Sequence, residues 1–485
     1  MPRFDSFRFL VLATSALWLT SCAVGPDFKQ PPTPNVLSYG PNGLPVNTVS
    51  AHAHLGGEQR FKQGGDVPSA WWRLFGSAPL NHLMDQAIKA SPSLQAAHAA
   101  LRKAQETASA SYGGFFPTLS GSASNTHSKA AGSTKPLTLY NTSVSLSYVP
   151  DIFGATRRAY EGLNAAAEAK RFEVEAAYLT LTSNIATAAI QEASLRGQIK
   201  AYGAIIKAQK KQLELVKAQF KAGAVAKTNV LAQESAVAES KTSIPPLEKN
   251  LAQTRHLLAV LAGRFPSEGV GAKFTLKSFR LPQSIPVSLP SKLVEQRPDV
   301  RTALANLRAA NANIGVATAA MLPQITLTGS YGVGASKMVD MFSPTTALWG
   351  LAAGLTQPLF EGGKLRHEKR ASEAAFNQAA ALYRQIVLSA FQDVADTLKA
   401  LESDARTLKL QLASKRAATA TLDLTTQQYN AGAIGYASLL TAQAGYQKSK
   451  VALVKAQAAR LADTAALYQA LGGGWWHQEE EKKQK

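Results

Sequence analysis

Cysteine is almost absent from the sequence: Cys22 is the only one in 485 residues, so no disulfide can form within a chain. Long apolar runs are also missing, because beyond the N-terminus no stretch reaches the length of about 18 residues that a membrane-crossing helix needs. Hydrophobic residues nevertheless make up 46% of the chain, which excludes an intrinsically disordered protein. The sequence therefore predicts a folded protein that could cross a membrane only with strands.

Acidic residues are scarce, since 32 Asp and Glu stand against 52 Lys and Arg, a formal net charge of +20. A basic surface that neutralises phosphates is typical of nucleic-acid binding. Here the basic residues are spread over the whole length, and no zinc site, helix-turn-helix pattern or base-stacking aromatic module accompanies them. We therefore expect no nucleic-acid partner, and we attribute the charge to solvated faces or to a lumen that favours anions.

Catalytic motifs are missing as well. The eight histidines are scattered, and none of them has the spacing of a zinc protease. His52 and His54 are close together, but they lie in a Gly- and Pro-rich stretch where a solvated loop is expected. The sequence contains no Gly-x-Ser-x-Gly elbow and no phosphate-binding Gly-Lys loop. It predicts no enzyme, no catalytic residue, no metal site and no cofactor-binding site.

The N-terminus carries the most specific local signal. Two arginines precede an apolar stretch from Phe9 to Leu19, an order that is typical of a secretory signal peptide. Leu19-Thr20-Ser21-Cys22 follows and resembles the bacterial lipoprotein box. That resemblance implies removal of residues 1–21 and a covalent N-acyl diacylglyceryl lipid on Cys22. A buried structural thiol is the alternative, but the position of the only cysteine at the end of a signal peptide favours lipidation.

The two halves of the chain share landmarks in the same order. Three short motifs of the first half, around Pro117, Gly223 and Gly263, recur in the second half 206, 209 and 210 residues later. We therefore predict a duplicated structural unit of roughly 200 residues. The predicted segments are a signal peptide (1–21), a lipid-anchored extended segment (22–70), a first repeat (71–266), a connecting segment (267–290), a second repeat (291–474) and a charged C-terminal tail (475–485).

Each repeat contains a pattern that is typical of strands. Between 138 and 148 the even positions are Thr, Tyr, Val and Leu, while the odd positions from 141 to 147 are Asn and Ser. A similar alternation begins at 324 in the second repeat. We predict β-hairpins at about 117–149 and 323–357, with strands of about 11 residues, long enough to cross a bilayer at a tilt.

An apolar face opposite a hydroxyl face suits a barrel with a wet lumen, with Tyr and Trp at the membrane interfaces. Four strands cannot close a barrel, and open strand edges are not tolerated in hydrocarbon. Several chains are therefore predicted to share one barrel. The alternative is the edge of a soluble β-sandwich, which explains neither the lipid signal nor the neighbouring helices.

Long helices are predicted after each hairpin. Residues 155–220 and 364–429 contain no proline and are rich in strong helix formers, which gives roughly 100 Å of helix in each half. In the first stretch a and d positions of a heptad predict a coiled-coil seam, made by Ile199, Tyr202, Ile206, Gln209, Leu213, Val216 and Phe220. Gly-containing segments at 222–226 and 431–435 predict the tips of helical hairpins. Pro245-Pro246 is expected to interrupt the returning helix of the first half.

Six motifs, in order along the chain, resemble those of the outer-membrane factors of tripartite efflux pumps, in particular the TolC-type lipoprotein branch with OprM-like proteins. They are Cys22-Ala23-Val24-Gly25-Pro26-Asp27-Phe28, Trp71-Trp72-Arg73-Leu74-Phe75, Gln296-Arg297-Pro298-Asp299-Val300-Arg301, Ile314-Gly315-Val316-Ala317, Pro358-Leu359-Phe360-Glu361-Gly362-Gly363 and Leu471-Gly472-Gly473-Gly474-Trp475. The resemblance covers essentially the whole mature chain.

The resemblance implies an α+β membrane protein. It implies a homotrimer in which four strands from each chain form a twelve-stranded outer-membrane β-barrel, continued by a long periplasmic α-helical barrel of coiled helices. The implied partners are a periplasmic membrane-fusion adaptor, an inner-membrane pump of the RND type and outer-membrane lipid. The function implied is a passive exit duct for drugs or other small solutes. A type I protein-secretion duct and a structural coiled-coil lipoprotein are the alternatives.

The site residues that we predict lie at and near the two tips. Adaptor docking is expected at Ala222 and Gly223 of the first half and at Ala431 and Gly432 of the second. The aperture is expected beside them, at Lys227, Asn229, Ser438 and Thr441. Members of the family commonly carry aspartates in the aperture region, which this chain lacks. A closed state that depends on neutral hydrogen bonds is therefore expected, unless Asp423 or another acidic residue restores the ring.

Two other motifs are interpreted as structural. Pro298 suits the first turn of a helix and Asp299 favours the positive end of that helix, so the Arg-Pro-Asp-Val-Arg run predicts a helix start. The pairs Trp71-Trp72 and Trp475-Trp476 are expected to pack against the helices as aromatic anchors rather than to stack on a ligand.

Overall fold

The computed structural model describes residues 23–41, 43 and 46–477. The helices in these residues are α1 (Ala78–Ala90), α2 (Pro92–Tyr112), α3 (Ala155–Lys221), α4 (Lys227–Thr242), α5 (Ile244–Leu261), α6 (Pro290–Gln296), α7 (Pro298–Ala319), α8 (Lys364–Asn430) and α9 (Tyr436–Ala470). The strands are β1 (Arg60–Gln63), β2 (Thr118–Ser128), β3 (Leu137–Tyr148), β4 (Ser284–Val287), β5 (Gln324–Ala335) and β6 (Ala347–Thr356). Cys22 and the signal peptide lie outside the described residues.

The chain divides into two compact units. The first unit combines the chain up to Pro31 with Ala99–Arg171 and Thr302–Arg384. The second combines Pro32–His98, Phe172–Arg301 and the chain from Gln385 onward. The first unit therefore holds the two hairpins, and the second holds both helical tips.

The first unit contains a four-stranded antiparallel sheet in the order β2, β3, β5, β6. Each hairpin contributes two neighbouring strands, and β3 pairs with β5 to join the hairpins. The strand predicted at 138–148 is confirmed as β3, because alternating β-branched, aromatic and hydroxyl side chains suit a pleated surface. The outer strands β2 and β6 have one edge each without a partner strand in the described chain.

The register gives this sheet one apolar face and one hydroxyl-rich face. Val144 pairs with Tyr331, which in turn pairs with Trp349 on the next strand. On the opposite face Ser145 pairs with Ser330. The apolar side chains are exposed, Trp349 to 76% and Tyr331 to 62%. An exposed apolar surface of this kind is typical of a site that contacts a partner or a membrane.

The helices α3 and α8 are the longest elements, with 67 residues each. Both lack proline and glycine-rich interruptions, so that backbone hydrogen bonds continue for about 100 Å at 1.5 Å per residue. Among the described residues no helix is both long enough and apolar enough to cross a membrane.

The seam predicted on α3 is confirmed over its middle and wrong at its end. Ile206, Gln209, Leu213 and Val216 are buried, as the heptad pattern requires. Phe220 is 41% exposed, because α3 ends at the following residue and no further turn of helix covers the ring.

The two prolines after Ile244 separate α4 from α5. The first helix ends at Thr242, and the prolines occupy the first turn of the next one. The first turn tolerates proline because its backbone N–H groups have no partner within the helix. The predicted interruption is confirmed.

Aromatic side chains form the core of the second unit. The fully buried Trp71 packs against Tyr468, with the ring centroids 5.6 Å apart, and against Phe75. Trp475 packs against Phe172 at 5.7 Å, and its Nε1 donates a 2.6 Å hydrogen bond to the Gln296 carbonyl. These tryptophans fill a core, which supports their interpretation as anchors.

Candidate functional site

The first tip (residues 222–226) is a glycine-capped helix end. Gly223 has φ of +75°, a left-handed conformation that side chains disfavour. Its N–H donates to the Phe220 carbonyl at 2.9 Å, and the Ala224 N–H donates to the Gln219 carbonyl at 2.9 Å. This pair of bonds is the Schellman motif, which satisfies the last carbonyls of α3. The chain then enters α4 at Lys227.

The second tip (residues 431–435) repeats the same geometry. Gly432 has φ of +74°, and its N–H donates to the Tyr429 carbonyl at 2.9 Å. The Ala433 N–H donates to the Gln428 carbonyl, also at 2.9 Å. The sequence spacing of 209 residues therefore places two equivalent helix ends in the second unit.

Polar and aromatic contacts join the two helical hairpins near their tips. The Tyr429 hydroxyl donates to Gln219 Oε1 at 3.2 Å, and the Tyr436 hydroxyl donates to Gln233 Oε1 at 2.5 Å. The two tyrosine rings lie 5.2 Å apart. Burial raises the pKa of the Tyr436 hydroxyl well above its usual value, so the group stays protonated and remains a hydrogen-bond donor. An apolar cluster that includes Val216 supports these contacts.

The residues predicted for adaptor docking are all exposed. Ala222, Gly223, Ala431 and Gly432 lie at the surface, and no heavy atom would meet a side chain added at either glycine. The tips are therefore open for a partner to approach them.

The four residues predicted for the aperture are not brought together within one chain. Lys227, Ser438 and Thr441 are exposed, and Asn229 is half-buried. The Thr441 hydroxyl donates to the Ala437 carbonyl of its own helix at 3.0 Å. Across the residues that the structure describes, no hydrogen bond or ion pair links any two of the four.

Basic residues dominate the helices around both tips. Positions 207–241 contain seven Lys and three Glu, and positions 409–455 contain six Lys and Arg and a single acidic residue, Asp423. The exposed Asp423 forms no ion pair with any described residue, while Lys217 pairs with Glu234 at 3.0 Å. A surface with this balance of charges has a positive potential, which disfavours cations.

A second arrangement fixes the start of the described chain in the first unit. The Arg158 side chain, 7% exposed, donates to the Val24 carbonyl at 3.2 Å and to the carboxylates of Asp27 and Glu161 at 2.7 and 2.8 Å. Asn311 Nδ2 donates to the Pro26 carbonyl at 2.8 Å. Burial lowers the pKa of Arg158, but its two carboxylate partners raise it by more, so the residue remains a cation.

An equally buried arginine fixes the next part of the N-terminal segment in the second unit. Arg460 donates to the carbonyls of Leu55 and Gly57 at 3.1 and 3.0 Å and to Gln59 Oε1 at 2.9 Å. Burial lowers the pKa of Arg460 to about 10, which leaves it charged at neutral pH. The sequence predicts the role of neither arginine, because an isolated arginine in a helix gives no sign of its distant partner.

A half-buried carboxyl pair lies close to Arg460. Burial, and then the neighbouring Asp463, raise the pKa of Asp404 to about 7, while the positive charge of Arg460 acts in the opposite direction. Two carboxylates at short range cannot both ionise readily. This part of the second unit therefore takes up a proton close to neutral pH.

The sequence matches a family of known proteins over most of the two repeats. The family profile described as outer membrane efflux protein matches residues 83–264 and 289–473, most of the chain. The chain belongs to the outer membrane efflux protein family. The prediction drawn from the six sequence motifs is thereby confirmed.

Individual relatives agree with this assignment. The pyoverdine export outer membrane protein OpmQ of Pseudomonas aeruginosa is 30% identical over 414 residues, covering 83% of this chain and 87% of that protein. The structure of the outer-membrane channel OprN is similar with a TM-score of 0.82 and 25% identity, over 94% of this chain and 100% of that one. The open state of the Neisseria gonorrhoeae MtrE outer membrane channel gives a TM-score of 0.81 and 26% identity, over 93% and 98%. This efflux protein thus shares its fold with outer-membrane channels.

Proposed function

We propose that this efflux protein is one third of a trimeric, passive exit duct. Three four-stranded sheets would close a twelve-stranded barrel in the outer membrane, and the helices would continue it as a periplasmic tunnel. The observation that carries this proposal is the sheet, whose apolar face is exposed and whose outer strands lack a partner in the described chain. Joining β6 of one copy to β2 of the next removes every open edge.

Two measurements test the duct. Native mass spectrometry in detergent should give a trimer, and the purified trimer should conduct ions in planar bilayers. A functional monomer would contradict the shared barrel. A trimer without conductance would favour the alternative of a structural coiled-coil lipoprotein.

The proposed duct performs no chemistry and receives its cargo from other proteins. A periplasmic adaptor would dock at the tips, around Gly223 and Gly432, and an inner-membrane pump of the RND type would supply drugs or other small solutes. The open surface at both glycines supports this arrangement. In vivo cross-linking from Ala222 and Ala431 should capture the adaptor. Capture of an ABC exporter complex instead would favour the protein-secretion alternative.

The lipid on Cys22 is part of the same proposal. A metabolically supplied fatty acid should label the wild-type protein and leave Cys22→Ser unlabelled. Equal labelling of both would rule out this anchor. The variant should still insert into the membrane, less efficiently, because the strands would provide an independent anchor.

We also propose that the aperture closes without a ring of carboxylates. The excess of basic residues around the tips supports weak cation selectivity and weak sensitivity to divalent cations. In single-channel recordings magnesium added from the periplasmic side should have little effect. A strong block that persists in Asp423→Asn would contradict the proposal.

The two halves are proposed to be copies of one ancestral unit. The equal length of α3 and α8 and the identical bonding at the two tips support it.

A further inference from the structure

The start of the described chain lies against a glycine at the end of the first hairpin. The Val24 N–H donates to the Phe153 carbonyl at 3.0 Å. Gly154 has φ of +78°, and a side chain there would come within 2.6 Å of the Ala23 Cα. Only glycine allows this close approach, so residue 23 is held at one defined place, a few residues beyond β3.

A cavity of about 370 Å³ opens beside the same segment, within the first unit. It lies between residues 149–156 and the stretch that runs from the end of α7 into β5. Its wall is predominantly apolar, and includes Ile152, Phe153, Val316, Ala319, Leu322 and Ile325.

The acidic residue in the wall is already satisfied. Asp151 accepts 2.9 Å hydrogen bonds from the backbone N–H groups of Thr156 and Arg157 at the start of α3. Its carboxylate therefore caps a helix and does not require a polar ligand in the cavity. The other polar residues of the wall are Thr156, Gln324 and Thr356, and the twelve remaining residues are apolar. This balance favours a hydrocarbon as the occupant.

The size of the cavity fits a flexible chain. A dry apolar cavity of about 150 Å³ holds one benzene-sized molecule, and this one is more than twice as large. A space without partner atoms deprives its lining of dispersion contacts, so an acyl chain placed there would restore them.

We propose that this cavity takes an acyl chain of the lipid on Cys22. The inference rests on the lipidation proposed above. Cys22 directly precedes Ala23, and adjacent Cα atoms are about 3.8 Å apart, so a lipid on Cys22 would be attached one residue from the contact of Ala23 with Gly154. The covalent tether gives this chain a much higher local concentration than any free lipid. One acyl chain occupies the protein, and the others remain in the bilayer.

The lipid thereby has a second role besides anchoring. It fills the corner where the hairpin meets α3 and braces the N-terminal segment that Arg158 holds. With an acyl chain in the cavity, the lipid and the sheet would be held in fixed positions relative to each other.

A photoreactive fatty acid tests the proposal. Cells grown on a diazirine analogue of palmitate would incorporate it into the lipid of Cys22 and into phospholipids. After irradiation of the purified trimer, mass spectrometry should find acyl cross-links on peptides that contain residues 149–156 and 316–325. In Cys22→Ser those cross-links should fall severalfold.

A matched pair of variants sharpens the test. Ala319→Leu fills the cavity and should reduce the cross-links severalfold, whereas Ala317→Leu, on the same helix and outside the cavity wall, should leave them unchanged. Labelling of Cys22 itself should be equal in both. If Ala319→Leu fails to fold, the comparison of acyl cross-links between the wild type and Cys22→Ser still tests the proposal.

Three outcomes would overturn the proposal, and they are distinguishable. Labelled Cys22 with cross-links only to phospholipid would place all acyl chains in the bilayer. Undiminished cross-links in Cys22→Ser would show that a free lipid occupies the cavity. An unlabelled Cys22 would remove the lipidation on which the inference rests, while trimer formation and conductance would remain to support the duct.

Discussion

The corners that follow the two hairpins occupy corresponding places in the two halves but have different environments. In the first half, residues 23–25 lie against Phe153 and Gly154. In the second half, Leu359 and Phe360 are 92% and 89% exposed. The corner of the first half is therefore covered by the N-terminal segment, whereas the corner of the second half is exposed in the single chain. The N-terminal segment exists once, so it can fill only one of two equivalent places.

A similar contrast separates two ion pairs that lie 210 residues apart. Glu192 accepts from Arg196 at 2.7 Å and also from Arg255 at 2.9 Å, and its side chain has no exposed surface. Glu402 pairs with Arg406 one turn later and with Lys399 at 2.9 Å, but 23% of its side chain is exposed. Each glutamate therefore holds two basic side chains, and the two sites differ in the burial of the carboxylate.

The largest expected difference is in the free energy of unfolding that is lost when each of these two glutamates is replaced. Glu192→Gln leaves two arginines without their buried counter-charge and should lower the free energy of unfolding by about 3 kcal/mol. Glu402→Gln removes two surface pairs, with Lys399 and Arg406, and should cost at most about 1 kcal/mol. Calorimetry of the purified proteins in detergent would measure both. Equal losses would show that the two environments are equivalent after all.

The arginine that holds the N-terminal segment provides the second test. Arg158→Ala removes hydrogen bonds to two carboxylates and two carbonyls and should cost about 2 kcal/mol. Arg157→Ala is the control, because that neighbour is 43% exposed and should cost less than about 1 kcal/mol. Protease digestion should release the N-terminal segment faster only in Arg158→Ala. Unchanged cleavage would mean that other contacts hold the segment.

The glycines of the two corners give a smaller, more specific effect. Gly154 and Gly362 both have positive φ, at +78° and +60°, so alanine strains the backbone at either position. Only at Gly154 would the new methyl group also collide with Ala23, whereas nothing lies within 4 Å at Gly362. Gly154→Ala should therefore cost about 1.5 kcal/mol more than Gly362→Ala in thermal unfolding. Equal costs would indicate that residue 23 does not press on this corner.

The smallest effect concerns a carboxyl group that only the second half has. Asp404 corresponds to Ser194 at the same spacing of 210 residues. The folded-state pKa of Asp404 is raised to about 7, so the free energy of unfolding falls as the pH rises from about 4 to about 7. Asp404→Asn should lack this fall and be more stable by about 1 kcal/mol at pH 8, because solvent screens a half-exposed carboxyl, with no advantage at pH 4.

Thermal unfolding measured across this pH range would decide the question. Asp463→Asn is the companion variant, because removal of the neighbouring carboxyl should lower the pKa of Asp404 and flatten the same profile. If the free energy of unfolding varied with pH in the same way in the wild type and in Asp404→Asn, the titrating group would be a residue other than Asp404.

Local pattern was enough to predict the elements and the tips. The alternation around Val144 identified β3, the lack of proline identified α3 and α8, and Gly223 and Gly432 located both helix ends. These features depend on neighbours in the chain, which periodicity records directly.

Contacts between distant segments could not be predicted in this way. Arg158 meets Val24 across 134 positions, and Arg460 meets Leu55 across 405. Burial contributes most to the raised pKa of Asp404, and Asp463 from another helix raises it further. A single sequence shows which residues share a face but not which faces meet, so these sites required the structure.

The two outer strands of the sheet differ in composition, and this difference bears on how copies come together. β2 is built mainly from Ser, Gly, Thr and Asn, whereas β6 is mainly Ala, Leu and Gly with one Trp. An unpaired strand edge is a template for aggregation before assembly is complete. In the proposed trimer the contact would be head to tail, from one copy's β6 to the next copy's β2, so a polar edge would always meet an apolar one. A head-to-tail contact that closes into a ring would leave no strand edge exposed.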